Sequence, residues 1–382
     1  MKKVLIVASV VSFIEWFNQK NVEHLHWDLG CEVHVACNCD YMDDTDEERT
    51  LQYLDRLRSE GIVLHNIPFA RSPLSPRNLT AYRLLRSLIR SENFDLIHCH
   101  TPAASMLTRL AARRERKKGT VVMYSCHGFH FHNDSPRKNW LIYYPVEKFL
   151  SRFCDYLVTI NQEDYQRAKT FHCKQVRYIP GVGVDVQKFR AASTERAAIR
   201  REIGVGDDQT LVLSVGELIE RKNHEVILRA LGRLNDPNIF FAVAGKGPLR
   251  ERLLQIAEEE GVADRFRLLG FRKDTADLYH AADICAFPSR IEGLGLSGVE
   301  ALAAGIPLVS SNIHGILDYS KDGITGYTAS PDDADGFARA IKTLADHPEL
   351  RAQMRENCCQ AAEPFDISNA LHAMWGVYQE IL

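Results

Sequence analysis

The chain has 382 residues, 45% of them hydrophobic and 25% charged, with a formal net charge of −3. That length exceeds one ordinary core and suits two domains of roughly 180 to 200 residues, and the composition is that of a globular protein. No apolar run approaches the ~20 residues that span a bilayer.

KVLIVA (3–8) reads as a fully buried strand. The run MKKVLIVASVVSF is not taken as a signal peptide, because its apolar part is short, leads into an amphipathic stretch and carries no clear cleavage site. A cytoplasmic protein is therefore expected. A helix follows at 14–29, a strand at 33–37 and a polar helix at 46–59. Next come strand 62–67, helix 78–91, strand 95–99, helix 103–114, strand 120–126, helix 139–152 and strand 155–160. Strands alternating with helices indicate a parallel sheet covered on both faces.

Pro180–Asp185 (PGVGVD) breaks the rhythm and marks a domain junction. After a polar helix near 194–203 the pattern restarts with strands at 210–216, 239–245, 265–270, 283–289 and 306–311. Helices fall at 223–234, 249–260, 274–282 and 296–304, then near 332–346 and 349–361. The expectation is an α/β protein of two Rossmann-like doubly wound domains, 1–185 and 186–365, facing each other across a cleft. A last helix within 366–382 crosses back to the first domain. Open α/β sheets bind ligands at the carboxyl ends of their strands.

Charge is uneven: residues 1–185 hold 25 basic and 21 acidic side chains, about +4, and the rest hold 22 and 29, about −7. The first half can attract an anionic partner or surface; no nucleic acid is expected. The ten cysteines, such as Cys285 inside an apolar run, read as reduced core thiols. Cys37 and Cys39 lack the second pair that a structural zinc site needs, so neither metal nor cofactor is assigned.

Two segments carry chemistry. In VGELIERKNHE (215–225) a buried strand ends at Gly216, and Arg221-Lys222 stands before a helix that Asn223 can cap. A guanidinium and an ammonium beside helix N–H donors make a diphosphate site. In FPSRIEGLGLSGVEALAAGIP (287–307), Glu292 precedes Gly293 and Gly295, and a helix begins near Leu296 and contains Glu300. The glycines let backbone amides approach a ligand. Glu300, about one turn into the helix, can face a ribose diol, and Glu292 can accept from sugar hydroxyls.

Together, Gly216, Arg221-Lys222, the Glu292–Glu300 spacing and the PS…EG-x-G…EA-x-A-x-G-x-P run resemble the family 4 retaining glycosyltransferases of the GT-B fold. The resemblance covers the whole chain and is densest from 210 to 330. It implies that Arg221 and Lys222 hold the donor diphosphate, Glu292 contacts the transferred sugar and Glu300 holds the ribose. Gly293, Leu294, Gly295 and Leu296 then lend backbone to sugar and phosphate. Gly245 lies in a family-like AGKGP segment, and Phe271-Arg272 places backbone near the base. At the end of strand 120–126, His127 takes the family's role of reaching the donor sugar.

The stretches 68–82, 97–107 and 127–155 resemble a subgroup that builds exopolysaccharide or capsule units on polyprenyl-diphosphate lipids. Arg71, His100 and Thr101 are then acceptor-side candidates. The implied partners are a nucleotide-diphosphate sugar, UDP-linked by resemblance, and a lipid-linked saccharide. Arg109, Arg113, Arg114, Arg116, Lys117 and Lys118 form a basic cluster that an anionic membrane surface would attract, placing the enzyme peripherally on the inner face. One departure stands out: after the first strand, where family members often carry a Gly-rich or His-containing loop, this chain has Ser12–Asn18. A sugar-nucleotide epimerase, a glycoside hydrolase using Glu292 and Glu300, and a non-catalytic sugar-nucleotide-binding partner are the rival readings.

Overall fold

The structure is a computed structural model that describes residues 1–40, 47–70, 72 and 75–382. Tyr41–Asp46, Arg71, Pro73 and Leu74 lie outside the described residues, and with them the Arg71 candidate. The chain forms two units, one of Met1–Val182 with Ala370–Leu382, the other of Gly183–Asn369.

The first unit is built on seven parallel strands: β1 (Lys3–Val10), β2 (Glu32–Asn38), β3 (Val63–Asn66), β4 (Leu96–Cys99), β5 (Val121–Cys126), β6 (Tyr156–Thr159) and β7 (Gln175–Tyr178). Their order is β3-β2-β1-β4-β5-β6-β7. β1 sits at the topological switch, with Val4 opposite Val33 on one side and Leu96 on the other. Val4, Leu5, Ile6 and Val7 have no exposed surface. Burying each such side chain is worth about 1.5–3 kcal/mol, which is why this unbroken apolar run becomes a central strand. Leu5, Val7, Ile97 and Tyr124 join Leu85, Ile89 and Leu107 from two helices in one core.

The second unit has six parallel strands: β8 (Thr210–Val215), β9 (Ile239–Ala244), β10 (Phe266–Gly270), β11 (Ile284–Phe287), β12 (Leu308–Ser311) and β13 (Gly326–Ala329), in the order β10-β9-β8-β11-β12-β13. Val212, Leu213, Ala242, Val243, Ile284 and Val309 form its dry centre. Both sheets place a switch at their middle, β1/β4 and β8/β11, and ligand chemistry in such sheets gathers at the strand carboxyl ends beside it.

Two edge strands escaped the sequence reading. β7 is short and half-exposed, and β13 begins at a glycine, so neither shows the apolar run that marks a buried parallel strand. The stretch read as Ser12–Asn18 loop is also different: β1 continues to Val10 and a helix, Val11–Phe17, starts at the next residue. It is followed by a helix at Gln19–Glu23 and a π-turn at His24–Asp28, where one continuous helix had been expected.

Candidate active site

In the second unit, the carboxyl ends of β8 and β9 approach so closely that side chains are excluded. A Cβ on Gly245 would lie 1.8 Å from the carbonyl oxygen of Gly216, and one on Gly216 would touch the Lys222 stem at 3.3 Å. A 3-10 turn, Glu220–Lys222, then presents the two cations. Lys222 Nζ is 2.7 Å, and Arg221 Nη1 2.8 Å, from the same oxygen, Glu292 Oε1. Lys222 also stands over the Phe287 ring at 5.1 Å. The sequence reading placed Asn223 as a helix cap, but the helix Glu225–Leu234 has no side-chain cap. Asn223 instead adopts φ 56° and its amide donates to the carbonyls of Pro288 (3.0 Å) and Pro331 (2.8 Å). It therefore ties the basic turn to the end of β11.

Glu292 and the glycines form the loop between β11 and the helix Leu296–Ala303. Gly295 has φ 86°, and a Cβ there would come within 2.6 Å of the Phe287 ring. Tyr319 Oη, 2.9 Å from the Leu294 carbonyl and 3.1 Å from that of Gly295, steadies the turn from a distant segment. No side chain caps the helix, so its first-turn amides, with the positive end of the helix dipole, suit an anion. Glu300 is half-buried in this helix and accepts from Tyr279 Oη at 3.2 Å; burial raises its carboxyl above the usual range, and the tyrosine's hydrogen bond opposes that rise. Arg272 is held by Asp274 (2.8 Å) and by Glu202, while Phe271 is exposed. The Arg272 guanidinium is therefore already engaged by carboxylates.

In the first unit, histidines collect at the ends of β4 and β5. His100 Nδ1 is 3.2 Å from His127 Nε2. His98, with no exposed surface, is held by Tyr378 Oη at 2.8 Å and Ser125 Oγ at 2.7 Å, and its ring lies 4.0 Å from that of His100. Burial pushes His127 down to about 4 and His98 to about 3, so both are neutral imidazoles near neutral pH. Thr101 adopts φ 58°, a costly conformation for a β-branched residue. Its Oγ1 pairs with the Ser9 amide (3.1 Å) and hydroxyl (2.7 Å). Phe13 packs on His127 at 4.9 Å.

His98, Tyr378, Tyr279 and Tyr319 were missed in the sequence. Each matters only through a partner far along the chain, so no local spacing marks them. The basic cluster needs correction. Arg109 is buried, 1% exposed, clamped by Glu147 at 2.8 Å and stacked on Tyr124 at 4.3 Å. Arg116 is taken up by Asp155 at 2.8 Å. These two leave the cluster, whose Arg113, Arg114, Lys117 and Lys118 stay exposed. Among the described residues, Glu32, His34 and Glu92 are the group close enough to share an ion, and Lys3 Nζ already lies 3.0 Å from both carboxylates.

These units have known counterparts. Residues 195–360 match the model for glycosyl transferases group 1, and residues 23–188 that for glycosyltransferase family 4. EpsD of Bacillus subtilis, named there as a glycosyltransferase, is 34% identical over 99% of this chain and 96% of its own. An Escherichia coli UDP-Gal:alpha-D-GlcNAc-diphosphoundecaprenol alpha-1,3-galactosyltransferase is 27% identical over 75% of this chain and 76% of its own. HepE from Anabaena, solved with UDP, superposes over the full length of both chains with a TM-score of 0.77 at 19% identity. WaaG, a glycosyltransferase involved in lipopolysaccharide biosynthesis, does so over 98% of this chain and 99% of its own, at 0.70 and 16%. The architecture is GT-B, two Rossmann-like parallel-sheet domains. The chain belongs to the family 4 glycosyltransferases.

Proposed function

We propose that this glycosyltransferase moves a hexose or N-acetylhexosamine, with retention at the anomeric carbon, from a UDP-sugar to a polyprenyl-diphosphate-linked saccharide in exopolysaccharide or capsule synthesis. The observation that carries the donor half is the convergence of Arg221 and Lys222 on one carboxylate oxygen, in the loop that opens an uncapped helix. Two cations held this way can take up the charge that grows on a departing nucleoside diphosphate, a preorganised electrostatic contribution to catalysis. That is the reason to expect turnover without a metal ion. Glu300, partly protected from water, is assigned to the ribose, Glu292 to the transferred sugar, and the backbone at 293–296 to phosphate and sugar. The first unit is assigned the acceptor and contributes His127, a neutral imidazole able to hydrogen-bond a sugar hydroxyl. The departing phosphate itself assists deprotonation of the acceptor, so no protein general base is assigned.

The relatives support the choice of partners: the Escherichia coli enzyme is named for a UDP-galactose donor and a diphosphoundecaprenol acceptor, and HepE structures hold UDP and UDP-glucose. No helix among the described residues is long and apolar enough to cross a membrane; the placement proposed is peripheral, on the inner face, where a lipid-borne acceptor is within reach. The test is a melting-temperature screen against UDP, GDP, ADP and their sugar conjugates in EDTA, since a ligand that binds only the folded state raises the melting temperature. Transfer to a short-chain prenyl-diphosphate saccharide follows, with the product's anomeric configuration read by NMR. A UDP-specific shift in EDTA with a retained anomer is expected. A shift without turnover on any acceptor returns the non-catalytic reading, and isomerised donor without acceptor returns the epimerase.

A further inference from the structure

Asn18 stands between the helices Val11–Phe17 and Gln19–Glu23 of the first unit. Its N–H donates to the Ile14 carbonyl and its own carbonyl accepts from the Val22 N–H, both at 2.9 Å. The backbone at the end of the Ser12–Asn18 segment is thereby fixed. Asn18 is 1% exposed, Asn21 7% and His100 1%. All three line one small cavity of about 30 Å³, with Ser125, His127 and Met374 among its other walls. The two asparagines bond to each other, Asn21 Nδ2 donating to Asn18 Oδ1 at 3.4 Å. That leaves Asn18 Nδ2, Asn21 Oδ1 and His100 Nε2 as buried atoms with no hydrogen-bond partner in the protein. Buried polar groups are rarely left so, because each then carries its full desolvation cost. A cavity of this size, polar on several sides, suits ordered water.

The protons available around the cavity decide which way each hydrogen bond runs. Burial holds His98 at about 3, His127 at about 4 and His100 well below the ordinary value, so near neutral pH each carries one ring proton. Buried Tyr378 Oη has His98 Nδ1 as its partner, 2.8 Å away, and donates there rather than bury an unused proton. His98 then donates from Nε2 to Ser125 Oγ at 2.7 Å, which leaves the Ser125 proton for the cavity. A water there accepts from Ser125 Oγ and Asn18 Nδ2, filling both of its lone pairs, and donates to Asn21 Oδ1 and His100 Nε2. His100 Nε2 is thus the bare nitrogen, and His100 donates from Nδ1 to His127 Nε2 at 3.2 Å. We infer that Asn18 and Asn21, acting through this buried water and His100, set the tautomer of His127, so that it meets the donor sugar as an N–H donor from Nδ1. The opposite polarity would make the water accept from three donors, one more than its lone pairs allow, and would strand a buried proton. Asn18 and Asn21 are positioning residues, and the inference rests on the reading that His127 contacts the donor sugar.

A crystal structure of the full chain should show a water within hydrogen-bonding distance of Asn18 Nδ2, Asn21 Oδ1 and His100 Nε2. Nitrogen–proton NMR of histidine-labelled protein, assigned with His127→Asn, should find the His127 proton on Nδ1. Asn18→Asp, studied at mildly alkaline pH to keep the new carboxyl ionised, puts an acceptor where the amide donor stood. The water then gives both protons to the two side chains, His100 Nε2 has to donate, and the His127 proton moves to Nε2. With it kcat on a UDP-sugar falls on the order of tenfold, the worth of one hydrogen bond, while UDP, which lacks the sugar, binds as before. Asn18→Ala removes the donor and adds no acceptor, so it lowers the melting temperature and leaves the His127 proton on Nδ1. Wild-type His127 protonated on Nε2, a cavity without water, or an Asn18→Asp variant with the wild-type tautomer overturns the inference. So does an Asn18→Ala variant in which the proton moves as it does in Asn18→Asp, since that would mark Asn18 as a packing residue only. A proton that shifts as expected in Asn18→Asp with kcat unchanged sinks the assignment of His127 to the donor sugar and leaves the relay standing; transfer by wild type with His127 protonated on Nε2 does the opposite.

Discussion

Lys222 Nζ lies 2.7 Å from Glu292 Oε1, with the lysine side chain 12% exposed and the carboxylate 8%. A carboxylate so placed competes with any diphosphate for the same ammonium and for the Arg221 guanidinium beside it. Glu292→Gln is therefore expected to tighten UDP binding by about tenfold, or ~1.4 kcal/mol, while lowering turnover, because the proposed sugar contact goes with the charge. Calorimetric titration with UDP alongside a transfer assay separates the two effects. Weaker UDP binding in the variant would mean that the carboxylate organises the cations rather than competing for them.

Arg221 is 39% exposed, so its loss is cheap to the fold, and the role proposed for it makes that loss dear to the reaction. Arg221→Ala is expected to lower kcat by about 10²–10³, the usual consequence of removing one preorganised donor from developing negative charge, with the melting temperature of the free enzyme nearly unchanged. Arg221→Lys restores charge but not the fork, and recovers only part of the rate. An alanine variant with near-normal turnover removes Arg221 from the donor site.

Gly295 combines a left-handed φ of 86° with a Cβ position 2.6 Å from the Phe287 ring. Gly295→Ala costs roughly 1–2 kcal/mol from backbone strain alone, and relieving the clash shifts the loop that carries Glu292 and opens the helix at Leu296. Donor KM should rise and kcat fall together, with a smaller change in melting temperature. A variant that lost stability and kept its donor KM would mark Gly295 as a packing residue only.

The legibility of these parts differs for physical reasons. The buried strands and long helices were readable because burial dictates their periodicity, as in KVLIVA and in the leucines of 78–91. The loop of Glu292–Gly295 was readable as a turn because its glycines lie close together in sequence, and the left-handed φ at Gly295 and the close approach at Gly245 favour glycine. What stayed hidden depends on partners remote in sequence: Tyr319 beneath the Gly295 turn, Asn223 reaching Pro331, Tyr378 on His98. Arg109 was misread for the same reason: its partner, Glu147, lies 38 residues on, and composition alone makes a buried arginine look like a surface one.

Tyr378 is buried and its hydroxyl is 2.8 Å from His98 Nδ1. Tyr378→Phe keeps the ring and strands the imidazole nitrogen, which should cost about 1–3 kcal/mol, read as a lower urea midpoint at unchanged slope. Ser125→Ala should do the same from the other side of the ring. Because both act through His98, the double variant is expected to fall short of the sum; strict additivity would show that the two hydrogen bonds do not share one histidine.

Acid sensitivity follows from buried imidazoles in both units, His98, His100 and His127 in the first and His224 in the second. His98 is pushed to about 3 by burial and by the nearby His127, and His224 to about 4 by burial, with the Glu217 carbonyl opposing that fall. Unfolded histidine titrates near 6.5, so below that pH the unfolded chain binds protons that the folded chain refuses. Stability contributed by each group is therefore fully present above pH 6.5 and lost as pH falls toward the folded values, at about 1.4 kcal/mol per pH unit for each fully titrating group. Equilibrium unfolding at several pH values between 6.5 and 4 should show that slope, and His98→Asn should flatten it by the share of one group even though the variant is less stable throughout. An unchanged slope in His98→Asn would mean that His98 takes up its proton in the folded chain, and that its hydrogen bonds to Tyr378 and Ser125 rearrange to accommodate the charge.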